Sequence, residues 1–373
     1  MPELKEFKCP ACGGPMDFDG KTQKMRCPYC GTELAVDEYQ DSEKKDAETV
    51  ENRKSGDSAC LNSDDISWHA ESDGSWAPGE TRGMNVYVCE SCGGEIVADR
   101  TTGAAICPYC GNRVVMKEQF SGDLRPDYII PFKFDKKDAI EGYRKHLKGK
   151  PFLPGVFRRR NQIDDIKGLY VPVWVYDVEA SADLNISGEI TSGSRRGDYE
   201  VTKHSVYSLR RSGDISFRSL PSDGSKKMDD ALMESVEPYD FRKAVPFNPA
   251  YMAGYMADRY DEDEKQRQKK ALARVEKSIE DSFMAACPGY TNLEVRSKNI
   301  DVKKLHYSYA LYPVWLLNIS WRSEKFTFAM NGQTGKFVGD LPCDRGAMWR
   351  FILLGTLGAS ALAVLVQWLL WML

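Results

Sequence analysis

The chain has 373 residues, too many for one domain of average size, so we expect two or three domains. Its formal net charge of −4 and pI of about 5.8 exclude a general electrostatic attraction to nucleic acid. Eight of the 11 cysteines fall into two short modules, and the chain starts without an apolar secretory segment. We therefore expect metal-bound thiolates in a reducing compartment.

Residues 1–36 form the first cysteine module, and residues 85–118 repeat it without a gap. Each reads C-x2-C-x14-C-x2-C, a spacing that lets two tight turns present four thiolates to one ion. Glycine follows the second cysteine of every pair, at a position where the turn requires a residue with an unrestricted backbone φ angle. The pattern predicts two zinc ribbons, each with one structural Zn²⁺; iron is the second choice of metal and disulfide pairing the weaker alternative. The predicted ligands are Cys9, Cys12, Cys27, Cys30, Cys89, Cys92, Cys107 and Cys110.

Between the modules, residues 37–84 contain 13 acidic and 5 basic residues and show no apolar periodicity. We expect an acidic disordered linker there. The first module has no net charge and the second has a net charge of −1, so neither has the excess of Lys and Arg that phosphate binding requires. Nucleic acid is therefore disfavoured as a partner, although Lys21, Lys24 and Arg26 could line one edge of the first ribbon.

Residues 125–345 predict an α+β body domain of mixed strands and helices. Strand-like runs cover 170–186, 199–217 and 309–321. Helices are expected over Lys136–Leu147 and from Pro249 to Ala286, and Asn331-Gly332 predicts a type I′ hairpin turn.

The body also contains an apparent internal repeat. Short patterns recur in the same order: a Pro-Phe pair, a predicted helix carrying Gly-Tyr, and a Pro-Val-Trp strand. The two series are Pro131-Phe132, Gly142-Tyr143 and Pro172-Val173-Trp174, then Pro246-Phe247, Gly254-Tyr255 and Pro313-Val314-Trp315. We expect two related halves in one domain, with Pro172 and Pro313 on edge strands or at strand starts because proline cannot donate to a ladder.

The segment 349–373 differs from the rest of the chain because it has no charge from Phe351 onward. As a helix, these 23 residues would be roughly 34 Å long, enough to cross a bilayer core of about 30 Å. Tryptophans lie near both ends, and Arg345 and Arg350 precede the apolar run. We expect one C-terminal transmembrane helix in the cell membrane, with the bulk of the chain in the cytoplasm.

Several longer phrases carry a family resemblance: the doubled CPxCG ribbon, YVPVWVYD, PFNPAYMAGYMADRYD and FAMNGQTGKFVGDLP. With the hydrophobic tail, they resemble bacterial membrane proteins that contain a transcription-factor-IIB-type zinc ribbon. The resemblance implies a membrane partner in envelope-stress assemblies, together with scaffold proteins of the flotillin-like or phage-shock type.

The leading hypothesis is a membrane-anchored zinc-ribbon adaptor that recruits a protein partner at the cytoplasmic membrane face. The alternative is a membrane-tethered nucleic-acid binder with a role in replication or transcription. We expect no enzyme activity, because no nucleotide-binding loop, histidine metal motif or nucleophile with a base is recognisable.

Overall fold

The computed structural model describes residues 7–38, 75–76, 80–81, 84–99, 106–119, 124–261 and 264–372. Most of the predicted linker, residues 37–84, lies outside these ranges, as do residues 1–6 of the first module. The predicted domain limits therefore remain predictions.

Within the described residues the fold is mixed α/β, as predicted. The helices are α1 Lys136–His146, α2 Arg160–Ile163, α3 Asp230–Val236, α4 Glu264–Ala285 and α5 Arg345–Met372. The strands are β1 Asp17–Asp19, β2 Lys24–Arg26, β3 Glu33–Leu34, β4 Met84–Val88, β5 Glu95–Asp99, β6 Val115–Gln119, β7 Tyr128–Ile129, β8 Lys167–Arg196, β9 Tyr199–Asp223, β10 Val245–Pro246, β11 Met256–Asp258, β12 Thr291–Trp321, β13 Glu324–Asn331 and β14 Phe337–Val338. Strands β1 to β3 form a small sheet, and the others form one 11-stranded sheet.

Helix α1 forms where the sequence predicted it. Asp135 accepts a hydrogen bond from the Asp138 amide (2.8 Å), and Asp138 accepts one from the Asp135 amide (3.0 Å). This reciprocal capping satisfies two amides that otherwise have no partner at the start of a helix. Ala139 and Tyr143, four residues apart, form the buried face.

The predicted series of sequence patterns does not correspond element by element: Pro131-Phe132 follows β7 but Pro246-Phe247 precedes β11, and Gly254-Tyr255 is not helical. The body nevertheless has two halves with the same order of elements. The first runs β7, α1, β8, β9 and the second runs β11, α4, β12, β13. The long strands β8 and β12 pair with each other in antiparallel orientation. Each short strand pairs in parallel with the long strand of the other half, β7 with β12 and β11 with β8. Neither half can complete its sheet alone, so the two fold as one unit.

The prediction that Pro172 and Pro313 lie on edge strands or at strand starts was wrong, because β8 and β12 are central strands. Each proline instead lies where its strand changes partner. Strand β8 pairs with β11 up to Tyr170 and with β9 from Val173. Strand β12 likewise pairs with β7 up to Leu311 and with β13 from Val314. The pairing of β8 with β12 continues past both prolines on one edge. On the other edge, where the partner changes, the Pro172 and Pro313 carbonyls accept from the Gly224 and Gly332 amides (2.8 and 2.9 Å), so the missing proline N–H falls between two ladders.

Strands β8, β9 and β12 continue beyond the body as a long antiparallel arm. Thirty residues of β8 correspond to about 100 Å of extended chain. Along the arm, alternate β8 residues from Val178 to Ile186 are buried, and they share a core with Val275 and Ile279 of α4. Helix α4 therefore covers one face of the arm and leaves the other face polar.

The predicted helix from Pro249 to Ala286 was correct only in its second part. A short 3₁₀ helix, Pro249–Met252, is followed by β11 and then by α4. Gly254 has φ +83°, which no α-helix accommodates, so Gly254-Tyr255 forms a turn rather than a helical face. The break places β11 between β8 and β5.

The hairpin near Asn331-Gly332 forms as predicted, but its turn is longer than a two-residue type I′ turn. The Asn331 amide donates to the Lys336 carbonyl (2.9 Å), which leaves four residues in the loop. The Asn331 side chain accepts hydrogen bonds from the Gln333 and Thr334 amides, at 2.8 and 2.9 Å. The asparagine side chain therefore stabilises the turn. Gly332 does not need the left-handed backbone conformation that a type I′ turn would require.

Candidate metal centres

Four turns of the same geometry carry the eight predicted ligands. In each, the amide of the first cysteine donates to a carbonyl five residues later, and the glycine amide donates back to the first cysteine, at 2.7–3.0 Å. The glycines that follow the second cysteines have φ between +67° and +76°, as the spacing predicted. They are Gly13, Gly31, Gly93 and Gly111.

The turns bring the cysteines together in two groups of four. In the first, Sγ–Sγ distances are 3.4 Å for Cys9–Cys30 and 3.5 Å for Cys12–Cys27. In the second, they are 3.3 Å for Cys89–Cys110 and 3.7 Å for Cys92–Cys107. Within each group all four sulfurs lie within 4.8 Å of one another. A Zn–S bond of about 2.3 Å gives tetrahedral edges of about 3.8 Å, so both groups fit one Zn²⁺ each, and the separations exceed a disulfide bond of about 2 Å.

Electrostatics within the first group also favour a cation. Hydrogen bonds from the Thr32 side chain and amide lower the pKa of Cys30 to about 6. The pKa of Cys12 is raised to about 12: the hydrogen bond from the Gly14 amide lowers it, but the neighbouring sulfurs of Cys30 and Cys27 outweigh that effect. Four thiols this close cannot all ionise alone, and a bound divalent cation compensates their charge. Four protein ligands leave no open position, so the expected role is structural.

The first ribbon, residues 7–38, packs against the body. The Gln23 side chain donates to the Phe132 carbonyl (2.8 Å), and the Phe18 amide donates to the Ala253 carbonyl (3.1 Å). Lys21 lies 3.0 Å from Asp135 and 3.1 Å from Asp138, the two residues that cap α1. These contacts with the body all come from β1 and from the turn between β1 and β2.

The second ribbon, residues 84–119, is part of the main sheet. Strand β5 pairs with β11 of the body, and β4 pairs with both β5 and β6. Its cysteine turns are also held by the body: Asn318 donates to the Pro108 carbonyl, and Lys227 donates to the Cys92 carbonyl at 3.1 Å. Loss of this metal centre would therefore disturb the body itself.

The two CPYCG motifs have different surroundings. Tyr29 of the first ribbon is 76% exposed, and Pro28 beside it is also exposed. Tyr109 of the second ribbon is 6% exposed, and Pro108 is buried. Cys12 and Cys30 are likewise exposed, whereas Cys92 and Cys110 are half-buried. We call the exposed turns Pro10–Gly13 and Pro28–Gly31 the open knuckle.

Tyr109 ends in a buried polar cluster that sequence reasoning did not identify. Burial raises the pKa of Asp258 to about 7 and that of Asp223 to about 8. Both carboxyl groups act on Tyr109, whose own pKa is raised well above its usual value, first by burial. Arg267 of α4 reaches the same region and donates to the Ser225 carbonyl at 3.3 Å. No motif indicated this cluster, since its members come from separate parts of the chain.

The cations of the first ribbon that could have lined an edge are largely paired. Besides the contacts of Lys21, Arg26 lies 3.5 Å from Asp19 and 3.9 Å from Glu33. Lys24 is exposed. The ribbon therefore presents no continuous row of free cations for a phosphate backbone.

Helix α5 is long and apolar enough to cross a membrane, and none of its apolar window is buried within the protein. Its first residue follows Asp344, whose amide donates to the Phe152 carbonyl at 2.8 Å. Further along the helix, the ring of Phe351 lies 5.4 Å from that of Phe152. The helix is thus joined to the body at its N-terminal end.

Two four-cysteine centres on a mixed α/β body, together with a helix of membrane-spanning length, define this chain as a metal-site protein with a candidate membrane anchor. No family model and no solved structure matches the chain. It is 30% identical over 345 residues to the uncharacterized protein YdjG of Bacillus subtilis (strain 168), and the match covers 92% of each chain. The chain belongs to the same family as YdjG.

Proposed function

We propose that this protein is a membrane-anchored zinc-ribbon adaptor that recruits a protein partner through the open knuckle of its first ribbon. Helix α5 holds it in the cell membrane with the bulk of the chain in the cytoplasm, and one structural Zn²⁺ occupies each centre. The sequence resemblance implies a scaffold protein of the flotillin-like or phage-shock type as the partner, within an envelope-stress assembly. The proposal assigns no catalytic reaction to the chain.

One observation carries the proposal: the same tyrosine of the same motif is 76% exposed at Tyr29 and 6% exposed at Tyr109. An exposed aromatic ring next to Pro28 presents a large, rigid contact area at a low cost in conformational entropy. The second ribbon uses the equivalent side chain to join the body. This division of roles gives the duplication a reason, because one copy stabilises the fold and the other remains available for binding.

Charge supports a protein rather than a nucleic acid as the ligand. Lys21 and Arg26, the cations closest to forming a basic edge, are engaged by carboxylates. The turns of the open knuckle contain no lysine or arginine. Partner contact would therefore rest on Tyr29, the prolines and backbone groups around the exposed thiolates.

The test is crosslinking and pull-down of the full-length protein from solubilised membranes, with and without nuclease. Tyr29→Ala should lose the captured protein while the chain keeps two zinc ions. Tyr199→Ala is the matched control, since Tyr199 is 78% exposed on the arm and should have no effect. Full capture by Tyr29→Ala would contradict the proposed knuckle, and capture abolished by nuclease would favour the nucleic-acid alternative.

A further inference from the structure

A concentration of positive charge surrounds the start of α5. The segments 148–160, 321–325 and 344–350 contain nine Lys and Arg residues but only two acidic residues, in a chain whose net charge is −4. All nine cationic side chains are exposed. We call these nine residues the basic collar.

Direct contacts hold the three segments together at one place. The Phe152 carbonyl accepts from the Asp344 amide, and the Phe152 ring lies against Phe351. Arg322 lies 3.8 Å from Asp344, and Phe157 packs against Phe326 with ring centroids 5.4 Å apart. The collar is therefore a surface of the folded body, assembled from segments distant in sequence.

Few of these charges are neutralised within the described part of the chain. Arg160 lies 3.7 Å from Asp164, and Arg322 pairs with Asp344. The other seven cations form no ion pair with described residues. Solvated loop lysines are common singly, but seven exposed cations without a described ion pair, on segments that contact one another, make this surface strongly positive and favour an anion.

The position of the basic collar at the start of the apolar part of α5 indicates which anion it meets. The charge-free stretch begins at Phe351, one residue after Arg350, and Trp349 is 60% exposed in the helix turn before it. Tryptophan and arginine at the end of an apolar span lie at the level of lipid headgroups. The contact between Phe152 and Phe351 places segment 148–160 at the same level.

We propose that the basic collar binds the headgroups of anionic phospholipids and so holds the body against the membrane surface. This inference rests on the membrane anchoring proposed above and goes beyond it, because a helix alone fixes neither the lipid type nor the orientation of the body. Several basic side chains on a rigid surface attract anionic lipid electrostatically, and the attraction weakens as salt rises.

The experiment measures lipid binding to the full-length protein in detergent by native mass spectrometry. Phosphatidylglycerol is titrated in parallel with phosphatidylcholine, at low and high salt. Wild type should prefer phosphatidylglycerol, and the triple variant Arg158→Gln, Arg159→Gln, Arg160→Gln should bind it on the order of 100-fold more weakly, since each cation near an anionic surface contributes roughly fivefold. The pair Lys148→Gln, Lys150→Gln should weaken binding independently.

The matched control is Arg195→Gln, Arg196→Gln, Lys203→Gln, which removes the same charge from exposed positions on the arm and should bind as wild type does. Equal affinity for the two lipids, or unchanged phosphatidylglycerol binding in both collar variants, would contradict the proposed binding of anionic lipid by the basic collar. Competition by inorganic phosphate at equal concentration would show a free-anion site and would also overturn it. Carbonate extraction of membranes separates the two proposals, because release of wild type would refute the anchor itself.

Discussion

Tyr29 and Tyr109 occupy the same position of two identical CPYCG motifs, yet the first ring faces solvent and the second is enclosed by the body beside Asp258 and Asp223. A shared local motif has therefore taken two structural roles. What separates them is the surface each ribbon uses for packing, the β1 side in the first and the cysteine turns in the second.

We expect this difference to appear in stability. Tyr109→Ala removes a buried aromatic ring and should lower the free energy of unfolding by about 3–5 kcal/mol. Tyr29→Ala removes an exposed ring and should change it by less than about 0.5 kcal/mol. Denaturant unfolding of the zinc-loaded protein measures both values. Similar losses in the two variants would contradict the different burial of the two rings.

Metal removal should also affect the two ribbons differently. Both Cys30→Ser and Cys110→Ser should reduce the metal content from about two zinc ions per chain to about one. Cys110→Ser should lower the melting temperature of the body more than Cys30→Ser does, because β5 of the second ribbon pairs with β11, whereas the described part of the first ribbon contacts the body without strand pairing. Elemental analysis and thermal unfolding provide the measurements. Cys343→Ser, at an exposed thiol outside both centres, is the control and should retain both ions.

The packing of the first ribbon depends on Gly20, which lies directly against the body. A Cβ at this position would come within 2.6 Å of the Phe132 carbonyl oxygen, a backbone atom that cannot rotate away. Gly20→Val should therefore separate the ribbon from the body while both metal ions stay bound. Hydrogen exchange of the Phe18 amide, which donates to Ala253, should accelerate. Gly193→Val, at a position with open space around it, should leave that exchange unchanged.

Asp258 should make stability fall as pH rises. Burial raises its pKa from 3.8 to about 7, so the folded protein holds a proton that the unfolded chain has already released. The resulting stabilisation is complete below the unfolded pKa and is lost as pH rises through about 7. Asp258→Asn keeps the shape without titrating. The advantage of wild type over this variant should therefore shrink between about pH 6 and about pH 8, a range in which zinc remains bound.

Thermal unfolding of both proteins across that range, with zinc in excess, tests the prediction. A constant difference in melting temperature would indicate that Asp258 does not change its protonation state there. Asp223→Asn should show the same trend at higher pH, since the pKa of Asp223 is raised to about 8.

The sequence by itself determined the features that depend on local spacing. Cysteines two residues apart and followed by glycine specify the turn, so the four turns and the grouping of the eight cysteines into two clusters could be predicted. Helix α1 followed from its capping residues, and α5 from a long uncharged run. In each case, the physical cause lies within a few neighbouring residues.

Tertiary structure decided the features that depend on residues far apart in the chain. Pro172 and Pro313 lie in central strands because each strand changes its partner there, and a proline pattern cannot report which strand lies beside it. The cluster of Asp223, Asp258 and Tyr109 assembles only when β9, β11 and the second ribbon meet. For the same reason, the sequence of CPYCG could not distinguish Tyr29 from Tyr109: burial is set by packing partners, and the motif contains only its own residues.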